Sequence, residues 1–274
     1  MNSFIDPPRL PTIDLSLFDI GDPWRDHVAA QVDWAASTFG LFQILGHGVD
    51  PVLIDALLEL GGKYIANPRD DLPGFHDAVS EYAMTMTGLG HKLMTAMARG
   101  LRLDDSFFVD RYSGNPVTSL RIRDYPVAGS HDDPERRPNA SDRGLLTIVK
   151  LGETEGQQVL FDGQWLDVPA LPSALLCYVG PVLERLTQGH YVSASHRLSL
   201  GDGGDRPSLS FAFEPGPEAV LAPVAGVRPR PGSASFSRYD HAPAADSARH
   251  HLESVPLPRS SLQSAALRER ATTR

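Results

Sequence analysis

The sequence predicts a mostly β protein, a sandwich or barrel, with helices flanking it on the N-terminal side. Three observations lead there. From about Val117 the chain breaks into short strand-like runs separated by Gly, Pro and Asp turns, the pattern of an all-β core. Ahead of these runs, apolar residues recur at helical spacing. At 274 residues, 41% hydrophobic and 22% charged, the chain has the material for one sizeable core rather than two. The expected organisation is an N-terminal helical and entry segment over 1–110, a β core of the same domain over 111–242, and a weakly structured tail over 243–274.

Each element has its own signal. PTIDL (Pro11 to Leu15) reads as a strand. Asp22-Pro23 is read as an N-cap followed by proline at the first helical position, and Trp24, Val28, Val32, Ala35 and Phe39 then recur at helical spacing up to Gly40. LFQIL (Leu41 to Leu45) is a strand, and Gly46-His47-Gly48 a turn. Asp50-Pro51 opens a second helix with Leu53, Leu57, Leu60 and Tyr64 on one face, broken at Asn67-Pro68. A long third helix carries Phe75, Val79, Tyr82, Met86, Leu89, Leu93 and Met97 to Gly100; its methionines share the apolar stripe and are read as core. The strand candidates that follow are VTSLRIRDY, GLLTIVK, QQVL, QWLDV, SALLCYVG, HYVSASHRL and SLSFAF.

Composition narrows the function. A net charge of −9 argues against a general nucleic-acid or membrane-surface binder. The single cysteine, Cys177, lies in an apolar run and is read as a buried structural thiol in a reducing compartment. MNSFIDPPRL has no apolar h-region, and no run is long enough to span a bilayer, so a cytoplasmic location is expected.

The chemistry-bearing residues lie in the second half. Asp142 lies in NASDRGLLTIV, His196 in HYVSASHRL, and Arg206 with Ser208 in RPSLSFAF. A carboxylate, an imidazole and an Arg-x-Ser pair, each on a strand-like stretch, look like most of a mononuclear iron site that binds a 2-oxo acid. Residues i and i+2 of a strand point the same way, so Arg206 and Ser208 share a face.

At this point the chain resembles the isopenicillin N synthase-like branch of Fe(II)/2-oxoglutarate-dependent oxygenases. LPTIDLSLFD, AASTFGLFQILGHGV, SLRIRDYP, GLLTIV, QVLFDGQWLDVPALPSALLCYVG, LERLTQGHYVSASHRL and DRPSLSFAFEP follow in that family's order, over roughly residues 9 to 220. The resemblance implies a double-stranded β-helix (jelly roll). It implies Asp142 and His196 as iron ligands, and Arg206, Ser208 and Tyr125 as contacts to 2-oxoglutarate. It also implies an oxidoreductase in which decarboxylation of the 2-oxo acid drives hydroxylation, desaturation or cyclisation of a small-molecule substrate.

The chain departs from the family pattern at four places. Ala140 stands two before Asp142, where the family's first ligand histidine would be, and a methyl group cannot coordinate iron. Gly180-Pro181 replaces the usual Gly-Asp, and Arg123 stands where an Asn commonly assists the tyrosine. Only IANPRDDLPG connects Tyr64 to Phe75, where the family carries additional strands and a lid. His131-Asp132-Asp133 is a literal His-x-Asp, but it lies upstream in a Pro/Gly-flanked stretch and is read as solvated loop; Asn139 offers at most a weak amide ligand. His47 and His190 are assigned structural roles. Iron is therefore expected to bind weakly or not at all. Two alternatives stay open: a non-catalytic relative that binds a small molecule or partners an intact oxygenase, and a metal-free catalyst using Asp142 and His196 as acid and base.

Overall fold

The computed structural model of the chain describes residues 10–66, 72–123, 144–151, 157–198 and 208–230. Strand β1 (Thr12–Asp14) leads into a 3-10 turn over Leu15–Ile20, where the Asp14 carboxylate accepts from the Ser16 N–H at 3.0 Å. Helix α1 (Trp24–Thr38) buries Val28, Val32, Ala35 and, just beyond its end, Phe39, as the spacing predicts; Trp24 is largely solvent-facing. The predicted Asp22 cap is not made. Its carboxylate instead accepts from Arg99, together with Asp26 at 2.7 Å, because a guanidinium is a stronger partner than a backbone N–H. Strand β2 (Leu41–Leu45) precedes helix α2 (Pro51–Ala66), where Asp50 does cap, accepting from the Val52 N–H at 2.8 Å.

Helix α3 (Phe75–Gly100) buries all seven residues of its predicted stripe. Each such side chain is worth roughly 1.5–3 kcal/mol when taken fully from water, so this one face is a main source of stability. A π-helical turn over Val109–Ser113 leads to β3 (Val117–Arg123), β4 (Leu146–Lys150), β5 (Gln157–Phe161), β6 (Gln164–Asp167) and β7 (Leu175–Val179). Helix α4 (Pro181–Leu186) follows, then β8 (His196–Leu198) and β9 (Ser208–Glu214). One element goes beyond the sequence expectations and one is shortened. Pro181, in the Gly180-Pro181 pair, starts α4 with its fixed φ at the helix entry. HYVSASHRL is a strand only over its last three residues, because the backbone N–H groups of His190 and Val192 go to Thr187 and Ala36 rather than to a ladder.

The strands form two sheets. The larger runs β1-β2-β7-β4-β9-β3, antiparallel except for the β1–β2 pair; the smaller runs β6-β5-β8. Alternation along the larger sheet divides its residues cleanly. Leu175, Cys177 and Val179 of β7, Leu146 and Ile148 of β4, and Leu209, Phe211 and Phe213 of β9 pack on the helices. Leu41, Leu176 and Tyr178 point the other way and share a second core with Val159 and Val168 from the side of the smaller sheet. The space between the sheets is where the candidate site lies.

The helix-side core holds one polar anomaly. Tyr82 packs edge-on against Phe211, its ring fully buried, and its hydroxyl has no hydrogen-bond partner among the described residues. Burial pushes its ionisation well above the ordinary value. An unsatisfied buried hydroxyl costs about 1–3 kcal/mol, so Tyr82→Phe is expected to be neutral or stabilising, by about 1 kcal/mol, in chemical denaturation. A clear loss of stability would mean that the hydroxyl has a partner.

Candidate functional site

His196 opens β8 and pairs with Val159 of β5, so its side chain lies on the inner side of the smaller sheet. Its imidazole stacks on Tyr178 of the opposing sheet, with ring centroids 3.9 Å apart and planes 29° from parallel. His196 Nδ1 lies 3.4 Å from the Ala194 carbonyl oxygen. In the tautomer that donates Nδ1–H to this carbonyl, Nε2 carries the lone pair that a metal takes.

The segment leading to His196 is irregular but tethered. The His190 imidazole meets Asp33 of α1 at 2.8 Å, the Val192 N–H donates to Ala36 at 3.1 Å, and the Tyr191 hydroxyl donates to the Met97 carbonyl at 2.8 Å. The Ser195 carbonyl accepts from the Leu160 N–H at 2.8 Å, joining the segment to β5. Gly40, at φ +71°, lies beneath it: a Cβ there would come within 2.3 Å of the Val192 carbonyl oxygen. His190 is thus structural, as expected. So is His47, whose Nδ1 accepts from the Val49 N–H while Nε2 donates to the Ser173 carbonyl, each at 3.1 Å. Burial lowers the His47 pKa.

Ser208 is buried at the start of β9. Because Leu209, Phe211 and Phe213 face the helices, Ser208, Ser210 and Ala212 line the inner face. Their partners on β3 are Arg123, Arg121 and Ser119. Thr147 pairs with both Tyr178 and Ala212, so Ala212 is level with the ring that covers His196. Ser208 is four residues further along, roughly 13 Å at the rise of an extended strand. Thr147 and Arg121 are inner-face residues that the sequence reading did not single out; strict alternation with Ile148 and Leu120 was the available signal.

Asp142, Arg206, Tyr125, Ala140, His131 and Asn139 lie outside the described residues. The chain resumes at Gly144, where the Leu145 N–H donates to Phe213 and the Gly180 N–H to Leu145, both at 2.9 Å. A Cβ on Gly180 would come within 2.0 Å of the Gly144 carbonyl oxygen, so only glycine allows this approach next to the Asp142 segment. Among the described residues, no three His, Cys, Asp or Glu side chains gather into a metal site. Cys177 lies on the helix side of β7, fully buried, its thiol held protonated by that burial, as a structural thiol should be.

Comparison with known proteins gives this arrangement its context. Residues 114–215 match the model of the 2OG-Fe(II) oxygenase superfamily, and residues 10–113 match that of the N-terminal region named for the non-haem dioxygenase in morphine synthesis. A Dictyostelium discoideum protein described as a "probable iron/ascorbate oxidoreductase" is 31% identical, over 85% of this chain and 89% of its own length. The chain belongs to the 2OG-Fe(II) oxygenase superfamily. The 1-aminocyclopropane-1-carboxylate oxidase 3 of Arabidopsis thaliana is 23% identical over 80% of this chain and 82% of its own. Among solved structures, a full-length Neurospora crassa protein in complex with alpha-KG and 5-formyluracil superposes with a TM-score of 0.75 at 18% identity, over 85% of this chain and 93% of that one.

The fold is accordingly the double-stranded β-helix of this oxygenase superfamily, and the chain is of the 2-oxoglutarate/Fe(II) dioxygenase type. The superfamily uses Fe(II) and 2-oxoglutarate, and a small-molecule substrate fits it. Among the described residues no helix is long and apolar enough to cross a membrane.

The tether beneath the His196 segment is testable without cofactor. Gly40→Ala is expected to cost about 2 kcal/mol or more, because a left-handed backbone and a close carbonyl both reject the methyl group. Denaturation midpoints and the His196 ring resonances should both move; a silent substitution would show that the segment adapts freely.

Proposed function

We propose that this chain is an atypical Fe(II)/2-oxoglutarate-dependent oxygenase that acts on a small molecule and holds its iron weakly. The observation that carries the reading is the setting of His196, an imidazole presented between the sheets with Nδ1 directed at the Ala194 carbonyl. Asp142 supplies the carboxylate ligand, and water or a further group completes what two protein ligands leave open. Arg206 grips the far carboxylate of 2-oxoglutarate with its planar fork, aided by Tyr125 and by Ser208, a buried hydroxyl on the inner face. Bound iron and the 2-oxo acid together supply an oxidant for a substrate C–H bond. The chain's own contribution is to orient the imidazole, neutralise the co-substrate and exclude water between the sheets.

Ala140 is the reason to expect weak binding. Losing even a partner of a metal ligand costs about 10–100-fold in affinity or activity, and losing the ligand itself costs at least as much. Restoring it with Ala140→His is expected to tighten Fe(II) at least about tenfold in an anaerobic titration. Equal affinity in the two forms would sink the two-ligand reading and point to a third ligand elsewhere, with His131 the first to examine.

The co-substrate supplies the second test. A guanidinium facing into a barrel is costly unless paired, and a dicarboxylate is the partner this reading assigns to it. At one hundred times its dissociation constant a ligand stabilises the native state by about 2.7 kcal/mol, so 2-oxoglutarate should raise the melting temperature visibly, and Arg206→Ala should abolish the shift. No shift in the unaltered protein, with or without iron, would remove the oxygenase reading. A non-catalytic role would then remain, as a small-molecule binder or as partner to an intact oxygenase, along with acid–base use of Asp142 and His196 without metal.

A further inference from the structure

We propose that Tyr178 is a positioning residue for His196, its ring holding the imidazole in the orientation that presents Nε2 for iron. The proposal rests on the reading of His196 as an iron ligand. It starts from an asymmetry between the two rings. Tyr178 sits on β7, an interior strand of the larger sheet, paired with Leu41 of β2 on one side and Thr147 of β4 on the other. It is 3% exposed. His196 is the first residue of a three-residue strand, entered from an irregular segment. Tyr178, held between two neighbouring strands, therefore offers a rigid face to the imidazole at the entry of β8.

The contact geometry suits this role. The rings stack at 3.9 Å and 29°, which covers one face of the imidazole. A ring nitrogen's lone pair lies in the ring plane, so a partner on the face leaves the ligating edge unobstructed. The Nδ1 contact with Ala194, at 3.4 Å, is long for a hydrogen bond and constrains ring rotation weakly. Stacking limits tilt of the imidazole plane, which an in-plane contact at Nδ1 does not. Preorganisation matters more as ligands are lost: with Ala140 in place of a donor, each remaining ligand that must be ordered on binding takes a larger share of the affinity.

Two readouts test it. In the metal-free protein, the His196 Cε1–H resonance should be displaced by the Tyr178 ring current, stay displaced in Tyr178→Phe, and return toward the free-imidazole position in Tyr178→Leu. In anaerobic titration, Tyr178→Leu should weaken Fe(II) binding roughly three- to tenfold, the scale of one lost aromatic pair, while Tyr178→Phe stays within about twofold. A folded Tyr178→Leu protein that binds iron as tightly as the unaltered chain would overturn the proposal and leave the proposed function standing. So would a phenylalanine variant that loses as much as the leucine one. Iron-free behaviour of the unaltered protein at saturating Fe(II) would overturn both readings. Should Tyr178→Leu not fold, an undisplaced His196 resonance in the unaltered protein overturns the proposal, and retention of displacement and iron affinity in Tyr178→Phe supports it.

Discussion

Strand β7 buries both of its faces, Leu175, Cys177 and Val179 against the helices and Leu176 and Tyr178 against the smaller sheet. A strand covered on both sides loses the usual alternation of apolar and polar residues and reads as a continuous apolar run, as SALLCYVG does. Everything else is placed around that double burial. Helices α1 and α3 close one side, and α2 packs with α3 there; the β6-β5-β8 sheet closes the other, leaving the inter-sheet space as the place where polar side chains can be gathered away from water.

The helical layer is braced by charge as well as by packing. Arg99, at the end of α3, donates through Nε and Nη2 to both oxygens of Asp105, at 3.0 and 3.1 Å, while Nη1 reaches Asp22 and Asp26 at the start of α1. A planar fork serving three carboxylates ties both helices to the loop after α3. At the opposite end of α1, Asp33 and Ala36 hold the segment that runs to His196. One helix therefore couples the charged brace to the candidate ligand, and the site depends on the helical layer although none of its own residues comes from it.

What could be read from the chain divides along physical lines. The α3 stripe was legible because seven apolar residues at one period leave a helix only one face to bury. The strands were legible as short runs bounded by Gly, Pro and Asp turns, β7 among them although it shows no alternation. The cap expected from Asp22 failed because its real partner, Arg99, is remote in sequence, and nothing local announces a guanidinium. His190 to Ser195 reads as part of a strand-like run, yet the N–H groups of His190 and Val192 go to Thr187 and Ala36. His196 and Ser208 were found by type and order and do face the inter-sheet space, whereas the Tyr178 stack was invisible, since it joins two sheets that only folding brings together. Asp142, Arg206 and Tyr125 remain sequence assignments.

Cys177 and Tyr178 are adjacent in the chain and sit on opposite sides of the larger sheet. The described methionines follow the cysteine: Met86, Met94 and Met97 are buried in the helix-side core, and Met84 lies on the same helix, facing solvent. A superfamily that works with Fe(II) and oxygen exposes its own polypeptide to oxidising by-products, and sulfur is the first element of a protein to suffer from them. Here the backbone of the larger sheet stands between the inter-sheet space and Cys177, Met86, Met94 and Met97. The pleat that sorts side chains for packing thereby also sorts these buried sulfur atoms to the side away from the proposed iron site, a redox partition built from the same alternation.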